Sequence, residues 1–68
     1  MSELSDKLLA AVKSGSGQVT HEQFIVGLNA REKFDLLSIV RDMERQGLIR
    51  RDLEKQSDGK RILKYKIV

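Results

Sequence analysis

The sequence contains no cysteine, no proline and no tryptophan, and it has one histidine. Without cysteine there are no disulfides, no thiolate metal site, no iron–sulfur cluster and no cysteine nucleophile. A single histidine excludes a zinc site built from several imidazoles. The longest unbroken apolar run covers residues 8–12, which is too short to cross a membrane or to form the core of a signal peptide. We therefore expect a cytoplasmic protein with no metal, no cofactor and no membrane partner.

The length of the chain, 68 residues, allows one domain with a small hydrophobic core. A catalytic cleft needs a larger scaffold, and no two carboxylates are spaced for acid–base chemistry. Basic side chains number 13 against 10 acidic ones, which leaves a net charge of +3. We predict a single domain over residues 1–68 that is not an enzyme, with no small-molecule substrate indicated. A small basic binding module is the class that this composition favours.

Apolar residues recur every three to four positions in three stretches, which predicts three helices. The predicted helices cover residues 2–14, 20–28 and 30–46. Gly15 and Gly47 follow the first and the third, where a glycine readily adopts the left-handed conformation that ends a helix. The order is therefore a helix, a short linking segment, and two further helices.

The linking segment Gln18-Val19-Thr20 is too short to form a sheet alone, but it can add one strand to a hairpin supplied elsewhere. Thr20 and Gln23 have the spacing of a capping box, in which each side chain accepts a hydrogen bond from the backbone of the other residue. This pattern begins the second predicted helix.

After Gly47 the apolar period changes from 3.6 to 2, which predicts two strands around a turn at residues 56–60. A two-residue loop would pair core residues with solvent-facing ones. A three-residue loop at residues 57–59, with Gly59 in the left-handed position, pairs residues of one face. The predicted pairs are Leu53 with Leu63, Arg51 with Tyr65, and Ile49 with Ile67.

The complete order of elements resembles the winged helix-turn-helix, an α+β fold with the order α1-β1-α2-α3-β2-β3. Leu36, Val40 and Met43, followed by Gly47-Leu48-Ile49-Arg50-Arg51, look like the end of a recognition helix and the start of the wing in winged-helix transcription regulators. Ser57-Asp58-Gly59-Lys60-Arg61, followed by Tyr65 and Ile67, looks like their wing tip and last strand. The resemblance covers residues 3–68 and points to the superfamily, with no particular subfamily.

The resemblance implies that the chain binds double-stranded DNA and acts in transcription regulation. The third helix would enter the major groove, and the wing at residues 57–61 would contact the phosphate backbone. A homodimer would double the number of contacts. The candidate nucleic-acid contacts are Arg31, Lys33, Ser38 and Arg41 on the helix and Lys60, Arg61 and Lys64 on the wing.

The charges are unevenly distributed along the chain. Residues 1–49 carry six basic and seven acidic side chains, a net charge of −1, whereas residues 50–68 carry seven basic and three acidic ones, a net charge of +4. A basic hairpin suits a polyanion, which releases counterions when it binds. Lysines on a strand edge also prevent pairing between sheets, so the same charges are compatible with a purely protective role.

A second interpretation concerns Phe34 and Val26. Phe34 is expected to fold back and join Phe24 in the core; alternatively it is exposed near the centre of the outer face of the third helix. Val26 points away from the apolar side of the second helix. If both are exposed, they would form a docking patch. The alternative function is therefore a winged-helix module for protein–protein contact, or a subunit of a larger complex. His21 is expected to be exposed and without a ligand role.

Overall fold

The computed structural model describes residues 3–68. These residues form three α-helices and three β-strands in the predicted order, so the predicted α+β class is confirmed. Ser2, the predicted first residue of the first helix, lies outside the described residues. The elements are α1 (Glu3–Ser14), β1 (Gln18–Thr20), α2 (His21–Ile25), α3 (Ala30–Arg45), β2 (Ile49–Lys55) and β3 (Arg61–Ile67).

Helices α2 and α3 both begin with a capping box. The Thr20 hydroxyl accepts from the Gln23 amide at 3.1 Å, and the Gln23 side chain accepts from the Thr20 amide at 3.4 Å. Asn29 and Glu32 form the corresponding pair before α3. Helix α2 ends at Ile25, three residues earlier than predicted, because the chain must become extended at Asn29 to cap α3.

The three strands form an antiparallel sheet in the order β1-β3-β2, so β3 is central. Strand β1 pairs Val19 with Tyr65, as expected for a third strand added to the hairpin. The predicted register between β2 and β3 is confirmed at all three pairs. The three-residue loop is also confirmed, because the Gly59 amide donates to the Gln56 carbonyl at 3.0 Å and Gly59 has a φ of 86°.

The core lies between the helices and one face of the sheet. Helices α1 and α3 contribute the stripes that the sequence predicted, and Tyr65 and Ile49 contribute from the sheet. None of the helices formed by residues 3–68 is long and apolar enough to span a membrane. The buried apolar residues are Leu4, Leu8, Val12, Phe24, Leu28, Leu36, Val40, Met43, Ile49 and Tyr65.

Phe34 does not join Phe24 in the core, so that expectation is wrong. Its side chain is 84% exposed. Successive residues of a helix are rotated by about 100°, so Phe34 lies roughly opposite the buried Leu36 and cannot fold back under the turn. Val26 is 85% exposed, as the alternative interpretation expected.

Candidate nucleic-acid interface and adjoining groove

The outer face of α3 brings together three of the four candidate contacts on this helix. Arg31, Ser38 and Arg41 are exposed, and helical spacing places them on one side with Phe34. The Arg31 Nε atom donates to Asp35 Oδ2 at 3.2 Å, so this cation is already paired. Arg41 has no ion-pair partner among residues 3–68. The outer face of α3 therefore offers one unpaired cation among the predicted contacts.

Lys33 lies on a different side of α3. It is exposed, and it borders a groove between α3 and the β2–β3 hairpin. Helical rotation places it about 140° from Ser38. The structure therefore separates Lys33 from the other candidate contacts on this helix.

The outer face of the sheet carries a network of ion pairs. Lys64 Nζ lies 2.7 Å from Glu54 Oε2, and Lys66 Nζ lies 2.7 Å from Asp52 Oδ2 and 2.9 Å from Glu54 Oε1. These side chains extend diagonally between β2 and β3, since the residues directly opposite are Asp52 with Lys64 and Glu54 with Ile62. Lys64, a candidate phosphate contact, is therefore neutralised within the sheet.

We expect this network to make the free energy of unfolding depend on pH in the acid range. Hydrogen bonds from Lys64 and then from Lys66 lower the pKa of Glu54 from 4.5 to about 2. A carboxylate whose pKa is depressed by folding stabilises the folded state above its unfolded pKa, and this contribution is lost as the pH falls towards the folded value. The free energy of unfolding should therefore differ most between the native protein and Glu54→Gln near neutral pH. The difference should shrink between about pH 4.5 and about pH 2.

Urea unfolding at a series of pH values measures this difference. The pKa of Glu32 is also lowered, by Lys7 and by the Asn29 amide, but Glu32 titrates in both proteins and its contribution cancels. A difference that stays constant over the acid range would show that Glu54 is not engaged with the two lysines.

The tip of the hairpin carries a group of exposed cations. Lys60 and Arg61 are exposed, and the register places Lys55 directly opposite Arg61. Their side chains form no ion pair with any part of residues 3–68. The nearby Asp58 carboxylate accepts from the Lys60 backbone amide at 2.9 Å, which helps to shape the loop. Lys60 and Arg61 were both predicted as wing contacts. The structure adds Lys55, which was not predicted, directly opposite Arg61.

The groove between α3 and the hairpin has a volume of about 150 Å³. At one end the His21 Nδ1 atom and the Tyr65 hydroxyl share a hydrogen bond of 2.6 Å. Burial raises the pKa of Tyr65, so its hydroxyl is neutral at physiological pH. His21, expected to be simply exposed, is half-buried and bonded. The pairing of β1 with β3 explains this contact. Val19 lies opposite Tyr65, and residue 21 follows two positions later, near the tyrosine ring.

On the hairpin side of the groove, Arg51 is held by α3. Its Nε atom lies 2.8 Å from Glu44 Oε1 in an ion pair, and its side chain is 38% exposed. This ion pair links β2 to the last turn of α3 beside the groove. Residues 3–68 hold no group of three or more His, Asp or Glu side chains arranged to bind a metal ion.

Comparison of the chain with family models, with curated proteins and with solved structures gives no significant match.

Proposed function

We propose that this chain is a small winged-helix DNA-binding protein that acts in transcription regulation in the cytoplasm. The order of its elements supports this class, and the observation that carries the proposal is the cluster of Lys55, Lys60 and Arg61 at the hairpin tip. These cations are exposed and have no ion-pair partner among residues 3–68. They could therefore pair with the phosphates of a DNA backbone without breaking an internal ion pair.

In this proposal α3 lies in the major groove and contributes less than the hairpin. Ser38 and Arg41 are the side chains that would reach base edges, while Arg31 would first have to leave Asp35. The exposed Asp42 shares this face and would be repelled by phosphates. Binding is therefore expected to be governed by the phosphate backbone, with modest sequence preference, and a homodimer would strengthen it by adding a second set of contacts.

Titration into a short DNA duplex at several salt concentrations tests this proposal. Each lost phosphate contact reduces the slope of log affinity against log salt by about 1. The double variant Lys60→Ala with Arg61→Ala should therefore lose about 2 units of slope and bind about ten-fold or more weakly at low salt. Lys64→Ala should have a smaller effect per charge, because Lys64 is already paired with Glu54.

Lys13→Ala is the matched control, since Lys13 is an exposed cation in the last turn of α1 and was not assigned a role in binding. It should leave the affinity nearly unchanged. The proposal fails if the native chain does not bind at low salt, or if binding responds neither to salt nor to the double substitution.

A second candidate function is protein–protein contact, which the exposure of Phe34 and Val26 favours. Both large apolar side chains are more than four-fifths exposed, at 84% and 85%. Burying them against a partner would remove apolar surface from water, which is a main source of association free energy. If the DNA titration shows no binding, the outer face of α3 around Phe34 becomes the preferred contact surface, for a partner protein or a second copy.

A further inference from the structure

We propose that the groove between α3 and the hairpin binds a small organic acid, with a single ring or short branched chain as its apolar part and one carboxylate as its polar part. The apolar part would lie against leucine and valine side chains, and the carboxylate would pair with Lys33 and Arg51. This inference does not depend on DNA binding by the chain.

The apolar walls of the groove come from both sides. Leu36 and Val40 are buried side chains of α3, and Leu63 is a half-buried side chain of β3. Leu37 borders the same groove and remains 52% exposed, so its apolar surface is left facing water. The volume of about 150 Å³ is similar to that of apolar cavities that accept benzene. A ligand with one ring or a short branched chain therefore matches the space.

The charge at the rim matches one carboxylate. Lys33 has no ion-pair partner among residues 3–68 and is exposed. Arg51 forms an ion pair with Glu44 through its Nε atom, and the guanidinium also carries two terminal nitrogens as N–H donors. Glu44 neutralises Arg51 and holds it in place, so the excess charge at the rim is that of Lys33. This excess of one positive charge is complementary to a monoanion.

The part of the groove lined by His21 and Tyr65 does not oppose an anion. The His21 and Tyr65 side chains satisfy each other through their hydrogen bond of 2.6 Å. A phenol is protonated at neutral pH and burial raises the pKa of Tyr65 further, so these side chains add no negative charge beside the carboxylate. The two acids in the first half of α3 are both paired, Asp35 with Arg31 and Glu32 with Lys7.

The test uses phenylacetate as the probe, with the full chain labelled with ¹⁵N and followed by ¹H–¹⁵N correlation spectra. We expect saturable shifts at the amides of Lys33, Leu37 and Arg51. Phenylacetamide, which is neutral and of nearly the same shape, should bind about five-fold or more weakly because it lacks the charge. Lys33→Gln should weaken phenylacetate binding by a similar factor and leave phenylacetamide unaffected.

Lys13→Gln on α1 is the control for a general loss of positive charge and should bind phenylacetate like the native chain. Leu63→Ala should weaken both probes, and thermal melting of each variant checks that it remains folded. Equal binding of the acid and the amide would overturn the proposal, as would shifts centred on Lys55, Lys60 and Arg61. Groove signals that move with protein concentration in the absence of a probe would assign the groove to a second copy instead, which also overturns it.

Discussion

Leu8→Ala is expected to remove a large part of the stability of the folded chain. Leu8 is completely buried in the middle of α1. Replacing a buried leucine by alanine costs about 2–5 kcal/mol, because apolar contacts are lost and a cavity remains. A domain of this length has a total of roughly 3–10 kcal/mol. Urea unfolding followed by far-UV circular dichroism should therefore show a large fall in the midpoint, with a measurable unfolded fraction before any urea is added.

Leu37→Ala is the matched control for this prediction. Leu37 is the same residue type on a helix, but it is 52% exposed and lies beside the groove. Its substitution should change the free energy of unfolding by about 0.5 kcal/mol. Equal midpoints for the two variants would show that α1 does not pack on the core as described.

Gly15→Ala is expected to destabilise the fold by about 3 kcal/mol, because the added methyl group has no room. A Cβ atom at position 15 would lie 2.1 Å from the Gln18 carbonyl oxygen, which is a backbone atom and cannot rotate away. The turn that leads from α1 into β1 would have to move, and with it the pairing of Val19 with Tyr65. Thermal unfolding should show a fall in Tm of at least about 10 °C.

Gly27→Ala separates this steric effect from the general effect of replacing a glycine. A Cβ atom at position 27 would meet nothing within 4 Å, and its backbone φ is not positive. Since alanine restricts the unfolded chain more than glycine does, this variant should be unchanged or more stable by up to about 1 kcal/mol. Similar losses in both variants would contradict the tight approach at Gly15.

The fold could be predicted almost completely from the sequence because its signals are local. The change of apolar period at Gly47 separates a helix from a hairpin, and the capping box at Thr20 marks a helix start. The register of β2 on β3 followed from a single argument, that a three-residue loop ending at Gly59 keeps apolar residues on one face. The end of α2 was predicted three residues too late, because the cap of the next helix at Asn29 decides where α2 stops.

The candidate site was harder to predict because its charges are decided by contacts between distant residues. The sequence shows that the hairpin is basic, but not that Lys64 extends diagonally to Glu54. It shows an arginine opposite Tyr65, but not that Glu44 on α3 holds that arginine. The exposure of Phe34 could be predicted from the sequence, since helical spacing alone places this residue opposite Leu36.

The position of β2 in the sheet has a consequence for the behaviour of the chain in concentrated solution. With β3 in the centre, β2 is an open edge of seven residues, a length at which another chain could add as a further strand. Five of these seven residues are charged: Arg50, Arg51, Asp52, Glu54 and Lys55. An incoming strand would have to strip water from them, so the edge discourages self-association of the kind that leads to fibrils.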